Sequence, residues 1–469
     1  MNVTLYNTET KAKEVLTPLK KDVVTIYTCG PTVYDYAHIG NLRSYVFVDI
    51  LKRTLLFNDY TVKNTINLTD FGHLTDDGDH GEDKIMKGLQ RDGLEISLEA
   101  MRKLTDIYID AFKNDVNSLR ILPPTTWSRA SDFVKEQILL AKTLDEKGYL
   151  YETKDSLYFS IEKFPRYGRL GNIQLDKLRS GARLEVDPEK KHPADFAVWK
   201  KSPLGWASPW GKGFPGWHIE CSAMAIATLG KQIDIHTGGI DHVHTHHNAE
   251  IAQSEAATGK TFANIWMHNE FVTVDGEKIA KSAGTGITLR TLTEAGYNPD
   301  SYRYWLLTAH YRSHCNFSYE ALDNAQTALQ KLKRLVYVDL KDAFGPVDTY
   351  TLDEFRYAIN NDLDTPKALA ILWGLAKNTD IAPGTKLSTI AQMDKVLGIG
   401  LTDSKTEFID TIGLVSISDL PEHLKKRLDD RMLARENKDW LTSDAIRDEF
   451  LAEGYIVKDT SDGVEIFKK

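Results

Sequence analysis

The chain has 469 residues, of which 42% are hydrophobic and 27% charged, so it is long enough for several globular domains. It contains no run of about 18 uncharged apolar residues and no signal peptide at its start, so we expect a cytoplasmic protein without a membrane span. Three cysteines are too few for a disulfide scaffold, and the net charge of −9 excludes general affinity for nucleic acids, which leaves only local basic patches for such a partner.

The first predicted strand covers residues 23–27, and apolar periodicity predicts a helix over residues 42–56. Gly30 and Pro31 end the strand, so the segment between them and the helix lies at a strand-to-helix crossing. In open α/β sheets nucleotides bind at the carboxyl ends of the strands, where a helix start offers N–H groups to phosphate. His38 could donate a hydrogen bond to a phosphate oxygen there, or it could merely cap the helix; the sequence leaves both interpretations open.

A second strand is predicted over residues 60–68, followed by an acidic loop over residues 71–83. The aspartates and two histidines of this loop could bind a metal ion, although a solvated loop is the better interpretation. Helical periodicity continues over residues 84–90, 98–119 and 133–147. Residues 149–200 mix short strands with Gly, Pro and charged residues, which is typical of an insertion into a nucleotide-binding fold, and residues 202–215 predict a loop with an aromatic surface.

Regular elements return at residue 216, with a helix over 217–229, a strand over 233–236, a helix over 244–258 and strands around 265–274. This order is the one that a right-handed parallel crossover requires. Three helices, over 319–335, 352–377 and 388–397, have no strand signal between them and predict a helical domain. The tail predicts a small module of two helices, over 421–436 and 440–451, and a hairpin of residues 455–457 and 464–467.

Histidines crowd the segment around the second cysteine. His218 precedes Cys221, and the segment between Cys221 and Glu250 contains His236, His242, His244, His246 and His247. Such a cluster with two cysteines favours zinc. Residues four apart share a helix face, so His246 with Glu250 and His242 with His246 are both possible pairs, and spacing does not choose between them. Cys29 would complete four ligands only if the first strand ends opposite these helices; the alternative is buried cysteines and unrelated surface histidines.

A second candidate for phosphate binding is the loop over residues 275–284, which contains Lys278 and Lys281 between glycines. Two lysines in a mobile loop could follow the charge of a departing diphosphate. A lysine pair is common, however, and alone it indicates no more than a solvated turn.

Together these segments resemble a known family. His38-Ile39-Gly40-Asn41 is similar to the HIGH signature, and Lys278-Ile279-Ala280-Lys281-Ser282 to the KMSKS signature, of class I aminoacyl-tRNA synthetases. Within that class, the resemblance is to the cysteinyl-tRNA synthetases in particular. It is carried by residues 29–34, 208–211, 215–224, 234–236 and 246–254. The resemblance extends over essentially the whole chain.

The resemblance implies one zinc ion per chain, bound by Cys29, Cys221, His246 and Glu250. It implies a cysteine pocket formed by Thr69, Trp217, His236 and Asp241. ATP, accompanied by Mg²⁺, would be bound by His38, Gly40, Asn41, Lys278, Lys281 and Ser282, of which His38, Asn41 and the two lysines would be catalytic. The cysteine tRNA would contact Arg427, Arg431, Arg435 and Trp440 on the basic helices of the tail.

The fold implied is a Rossmann-like α/β catalytic domain over residues 1–310 with an inserted connective region at about 120–205, a helical domain over 311–410 and an anticodon-binding module over 411–469. The implied reaction activates L-cysteine with ATP and transfers it to tRNA, and we expect a monomer. Two alternatives remain: a ligase of mycothiol synthesis, which joins cysteine to an amino sugar, and a non-catalytic zinc protein that binds nucleic acid.

The chain departs from the family pattern at three places. Asn41 replaces the last histidine of HIGH, which exchanges an imidazole for an amide. Ile279 and Ala280 vary the KMSKS core but keep both lysines and Ser282. The acidic stretch over residues 71–82 is longer than the compact segment typical of the family.

Overall fold

The structure, a computed structural model, describes residues 1–71, 84–91, 93, 95–173, 189–274, 276–278, 286–340, 345–401, 403, 414–460 and 463–468. It begins with an antiparallel hairpin that the sequence did not predict, formed by β1 (Thr4–Asn7) and β2 (Ala12–Val15). The next elements are β3 (Val23–Thr28), α1 (Ile39–Phe57), β4 (Thr61–Leu68), α2 (Lys84–Arg91), α3 (Leu98–Ser118), β5 (Thr126–Arg129) and α4 (Val134–Glu146). The acidic loop over residues 71–83 lies, except for Phe71, outside the described residues.

The inserted region forms an antiparallel sheet in the order β6–β7–β8–β9, with strands Leu150–Glu152, Ser156–Phe159, Phe196–Trp206 and Gly213–Pro215. The prediction of a loop over residues 202–215 was therefore wrong at both of its ends. Glycine explains the difference, because Gly205 has a φ of +118° and a Cβ there would lie 2.0 Å from the carbonyl oxygen of Gly213. The glycines that suggested a loop allow two strands to approach closely.

The second half of the nucleotide-binding fold contains α5 (Trp217–Leu229), β10 (Ile233–Gly239), α6 (His246–Thr258) and β11 (Ala263–Asn269). All pairings in the central sheet are parallel, and the strand order is β11–β10–β3–β4–β5. Chain order reverses between β3 and β10, where Ile26 lies opposite Ile235, and such a reversal opens a crevice at the carboxyl ends of the strands. The expected Rossmann-like α/β fold is confirmed.

A smaller sheet, in the order β13–β12–β14, adjoins the central one; its strands are β12 (Val272–Val274), β13 (Glu277–Lys278) and β14 (Cys315–Phe317). The helices that flank and follow it are α7 (Leu289–Glu294), α8 (Pro299–Leu307), α9 (Tyr319–Arg334), α10 (Thr349–Asn360), α11 (Thr365–Lys377) and α12 (Pro383–Leu397). The strands predicted around residues 265–274 are therefore β11 of the central sheet and β12 of the smaller sheet.

The single helix predicted over residues 352–377 is in fact two, α10 and α11. The helix breaks because Asp362 and Leu363 adopt left-handed backbone conformations, with φ of 64° and 57°. The Asp362 carboxylate accepts hydrogen bonds from the backbone N–H of Tyr6, at 2.9 Å, and from the Tyr311 hydroxyl, at 2.6 Å. The break therefore fastens the helices to the N-terminal hairpin.

The C-terminal module contains β15 (Leu414–Val415), α13 (Glu422–Glu436), α14 (Trp440–Ala452), β16 (Tyr455–Thr460) and β17 (Gly463–Lys468). It has a hydrophobic core of its own, centred on Leu424, Leu428, Ile446 and Phe450, whereas one continuous core extends from Val3 to Leu401. An ion pair between Arg334 and Glu465 joins the module to the end of α9. The domain boundaries near residues 310 and 410 stay a prediction.

The described part of the chain contains no helix with both the length and the apolar character needed to cross a membrane.

Candidate active site and metal centre

Four potential metal ligands meet at the reversal point of the central sheet. Cys29 follows the last residue of β3, Cys221 lies on α5, and His246 and Glu250 are one turn apart on α6. Their ligand atoms all lie within 4.8 Å of one another, and all four residues are buried. The strand end and the two helices therefore do face each other.

A second set of potential ligands shares two members with the first. Cys29 and Glu250 also lie within 4.8 Å of ring nitrogens of His236 and His247. His236 Nε2 is 2.9 Å from Glu250 Oε2, and His246 Nε2 is 3.1 Å from Glu250 Oε1. Glu250 is therefore held between two imidazoles, one from each set.

Charge is distributed unevenly among the four residues. Burial raises the pKa of Cys29, whereas a hydrogen bond from Cys29 outweighs burial at Cys221 and lowers its pKa to about 6. Burial opposes protonation of His246, but the Cys221 sulfur and the Glu250 carboxylate outweigh it and raise the pKa of His246 to about 10. His236 and His246 likewise outweigh burial at Glu250 and lower its pKa. The centre thus stabilises anionic sulfur and carboxylate against a cation.

This donor set fits zinc. Two sulfurs, an imidazole nitrogen and a carboxylate oxygen are all common zinc ligands. Cys221 and Glu250 are buried away from water, and burial of an anionic sulfur or carboxylate is costly unless a cation balances its charge. A divalent ion would supply that balance.

A cleft of about 580 Å³ opens beside the cluster. Cys29, Cys221 and His246 line it, and so do Trp217 and Asp241. Trp217 packs on His246 with the ring centres 4.3 Å apart, and Asp241 follows β10 in the turn Ile240–Val243. Two residues assigned to the cysteine pocket therefore share a cleft with three of the proposed ligands.

The other two residues assigned to the cysteine pocket, Thr69 and His236, are fully buried and are not among the described residues of the cleft wall. The Thr69 hydroxyl donates to Glu220 at 3.1 Å and accepts from Asn67 at 3.1 Å. Thr69 can therefore orient Asn67, which lines the cleft, and His236 can orient its partner Glu250.

His38 and Asn41 also line this cleft. The backbone N–H of Asn41 donates to His38 Nδ1 at 3.2 Å, and the Asn41 side-chain oxygen accepts from the backbone N–H of His38 at 3.2 Å. This reciprocal cap starts α1, so His38 does cap the helix. Because Nδ1 is an acceptor, a neutral His38 ring carries its proton on Nε2, and capping is compatible with donation to a phosphate. Gly40 lies in the first turn between them.

The second phosphate-binding candidate is described only in part. The backbone of Lys278 belongs to β13 and is paired with Thr273 of β12. Lys281 and Ser282 lie outside the described residues.

The four residues assigned to tRNA binding differ in their surroundings. Arg427 lies on α13 and pairs with Glu449 of α14, and Arg435 pairs with Asp459 at 3.0 Å and lies 5.5 Å from the ring centre of Trp440. Trp440 is 55% exposed. Arg431 is 0% exposed and makes two hydrogen bonds to Asp459, at 2.8 and 2.9 Å. Arg431 is therefore not at the surface, contrary to the expectation from the sequence, because α14 packs on the helix and Asp459 of β16 binds the guanidinium.

Sequence reasoning missed several residues around the cleft and the cluster. Tyr34, Tyr36 and Tyr108 add an aromatic wall to the cleft. Beneath the cluster, the buried ring of Tyr27 packs against His236, with centres 5.2 Å apart. Tyr27 precedes Cys29 by two residues in an extended segment, so strand alternation could have placed both on one face. No comparable signal exists for Tyr108, which comes from a distant helix.

The chain is similar to known proteins over its full length. Residues 15–327 match the family model described as the catalytic domain of class I (C) tRNA synthetases. The chain is 44% identical to cysteine–tRNA ligase 1 of Burkholderia lata, over 100% of this chain and 97% of that protein. It is 40% identical to the cysteine–tRNA ligase of Treponema denticola, over the full length of both.

Among solved structures, a methionyl-tRNA synthetase of Mycobacterium tuberculosis in complex with methionyl-adenylate is similar in fold. The TM-score is 0.56 at 15% sequence identity, over 83% of this chain and 94% of that one. At this level of identity the likeness concerns the fold alone.

Proposed function

The chain belongs to the cysteine–tRNA ligases, a family of class I aminoacyl-tRNA synthetases, and from this premise we propose how its residues carry out the two steps of the reaction. L-cysteine and ATP form cysteinyl-adenylate and diphosphate, and the cysteine then passes to the terminal adenosine of the cysteine tRNA. Similarity over the full length of these relatives favours this activity over the shorter ligase of mycothiol synthesis and over a non-catalytic scaffold.

One observation carries the proposal: a sulfur-rich ligand cluster and the capped start of α1 line the same cleft. A thiol-selective site and a phosphate-binding site must be neighbours if a cysteine carboxylate is to attack ATP. The reversal point of a parallel sheet is where such ligands bind.

Cys29, Cys221, His246 and Glu250 would hold one zinc ion. When bound, zinc supplies a contact that binds a thiolate far better than a hydroxyl, and so distinguishes cysteine from serine. Asp241 would bind the ammonium group of the substrate, and Trp217 would close the pocket around its side chain. Thr69 would orient Asn67, which lines the cleft, and His236 would orient the ligand Glu250 through its hydrogen bond.

In the first step a carboxylate oxygen of cysteine attacks the α-phosphorus of ATP, and the bond to the leaving diphosphate breaks. Such a transfer requires positioning and charge stabilisation more than covalent help. His38 would donate from Nε2 to a phosphate oxygen, beside Gly40 and Asn41 at the start of α1. Lys278, Lys281 and Ser282 would hold the diphosphate, and Mg²⁺ would accompany the nucleotide.

In the second step a ribose hydroxyl of the tRNA attacks the cysteinyl carbonyl, and AMP leaves. We assign anticodon contact to Arg435 and Trp440, because Trp440 offers an exposed ring on which an unpaired base can stack. Arg427 would support that surface from its pair with Glu449, whereas Arg431 is given a structural role within the module. We propose that the protein acts as a monomer in the cytoplasm.

The test is ATP–diphosphate exchange that depends on cysteine, measured together with the zinc content of the purified chain. We expect one zinc per chain, and we expect Cys221→Ser to lower both zinc content and exchange. The loss should exceed about 100-fold, since even an outer partner of a metal ligand contributes about 10- to 100-fold.

Cys315→Ser is the matched control, because Cys315 is also buried but lies on β14 outside both ligand sets. It should retain zinc and exchange. Full exchange by the metal-free chain would contradict the zinc assignment, and the absence of exchange from zinc-loaded chain would contradict the proposed first step.

A further inference from the structure

A row of hydrogen bonds connects the N-terminal hairpin to the metal cluster. His247 Nε2 is 3.3 Å from the sulfur of Cys29, and His247 Nδ1 is 2.7 Å from His268 Nε2. His268 Nδ1 is in turn 2.8 Å from the hydroxyl oxygen of Thr8, in the turn between β1 and β2. The two imidazoles are buried and Thr8 is half-buried.

The position of this row is fixed from several sides. The backbone N–H of Thr8 donates to the carbonyl of Trp266 on β11 at 2.8 Å, which holds the turn against the sheet. A Cβ at Gly238 would lie 2.7 Å from Cε1 of His247, so the backbone of β10 packs closely on that ring. The inner part of the row is therefore packed behind the cleft, whereas Thr8 and His268 also line a second cavity, of about 230 Å³.

We propose that Thr8, His268 and His247 form a relay of hydrogen bonds that is directed toward Cys29 and positions its thiolate as a zinc ligand. This inference rests on the zinc site proposed above. A ligand thiolate can only accept, so His247 must donate from Nε2. Only one proton fits between each pair of facing atoms, so His247 Nδ1 accepts from His268, and His268 accepts from the Thr8 hydroxyl.

The opposite direction would follow if His247 itself bound the metal, as in the second ligand set. Its Nδ1 would then donate to His268, and Thr8 would accept. The cleft decides between these arrangements: Cys29, Cys221 and His246 line it, whereas His236 and His247 are not among the described residues of its wall. A metal that reads a substrate thiol must face the cleft, so His247 acts as a positioning residue behind it.

The test uses the zinc-loaded full-length chain and the variant Thr8→Val, which removes the first donor of the relay and keeps a side chain of similar shape. We expect zinc to transfer to a competing chelator about tenfold faster than from the wild type, the lower end of the effect of losing an outer partner of a metal ligand. In the cobalt-substituted chain, the thiolate-to-cobalt charge-transfer band should shift, because the Cys29 sulfur loses part of its hydrogen bond.

Thr8→Ser restores the hydroxyl and should return both measurements to wild-type values. Thr10→Val is the control for the hairpin, since Thr10 is exposed and its hydroxyl contacts Glu14 of the same hairpin instead of the relay. Wild-type zinc transfer and spectrum in Thr8→Val would overturn the relay. A ¹⁵N spectrum of the wild type with the His247 proton on Nδ1 would also overturn it, because that tautomer belongs to the opposite direction.

These outcomes are separate from failure of the proposed function. A wild-type chain without zinc and without cysteine-dependent exchange would refute the zinc site itself. Wild-type zinc binding with unchanged Thr8→Val would refute the relay alone.

Discussion

The catalytic end of the central sheet and the C-terminal module both rely on paired ionisable groups, but they bury them differently. At the sheet, Cys29, Cys221, His246 and Glu250 are all buried and come from three separate elements. In the module, Asp459 is 34% exposed and serves both Arg431, which is buried, and Arg435, which is not. The side chains at the sheet meet at one buried point, whereas those of the module extend to the protein surface.

This difference shows what each region tolerates. A site assembled from a strand end and two helices depends on the backbone positions of all three, so a change in packing of a few tenths of an ångström alters the chemistry. A surface that contacts RNA depends on exposed side chains that act one at a time. Substitutions at the catalytic end of the sheet should therefore lower activity more than substitutions in the C-terminal module.

The largest effect is expected for Gly30→Ala. A Cβ at Gly30 would lie 1.6 Å from the carbonyl oxygen of Asn67 on β4, so the backbone after β3 must move together with Cys29. We expect cysteine-dependent exchange to fall by about 100-fold, which corresponds to about 2.7 kcal/mol. Exchange kinetics and zinc content measure the effect.

Gly374→Ala is its control, because a Cβ there meets nothing within 4 Å inside helix α11. It should leave exchange unchanged and leave the unfolding midpoint equal or higher. If Gly30→Ala exchanged ATP and diphosphate at the wild-type rate, the catalytic end of the sheet would tolerate backbone movement, and the contrast with the C-terminal module would be wrong.

The sequence predicts the elements that form the catalytic end of the sheet well, because β3, α1, α5 and α6 each have clear periodicity and clear ends. It could not by itself predict that Cys29 lies close to Cys221. The two residues are separated by most of the catalytic domain, and only the strand order of the sheet brings them together. Nor could spacing choose His246 with Glu250 over His242 with His246, since both pairs are four residues apart. Only the family resemblance supplied that choice.

In the C-terminal module the sequence predicted the elements but not the burial. Arg427, Arg431 and Arg435 follow one another at intervals of four residues, so periodicity presents them as one basic face. Packing of α14 on α13, together with the ion pair to Asp459, divides that face, and Arg431 becomes part of the interior. A helix with charged residues on several sides does not reveal which side its neighbours will cover.

An intermediate effect is expected for Asp459→Asn. The change leaves the buried guanidinium of Arg431 without its carboxylate, and we expect the module to lose about 2 kcal/mol of unfolding free energy, less than for a fully buried pair because Asp459 is partly exposed. The Arg431 hydrogen bonds lower the pKa of Asp459, so the same stability should disappear in the wild type as the pH falls through that lowered pKa.

Hydrogen–deuterium uptake by the backbone amides of α13 and α14 at increasing denaturant measures this loss within the module. Cysteine-dependent ATP–diphosphate exchange should remain at the wild-type rate because the cleft is untouched. Asp444→Asn is the control, since Asp444 lies on α14 and pairs only at the surface with Arg447. A matching loss of exchange in Asp459→Asn would mean that the two regions are coupled more closely than their separate cores indicate.

The smallest effect is expected for Trp440→Ala. Loss of a stacking ring should lower kcat/KM for aminoacylation of the cysteine tRNA by about tenfold, because base stacking on an aromatic side chain contributes about 1–3 kcal/mol. Cysteine-dependent exchange, which needs no tRNA, should stay unchanged. Leu451→Ala provides the control near the other end of α14, where an exposed apolar side chain is removed without loss of a ring. An equal loss of aminoacylation in both variants would mean that the whole helix surface is responsible, and it would contradict the proposed role of the Trp440 ring. A fall in cysteine-dependent exchange would instead show that the module affects the chemistry at the sheet.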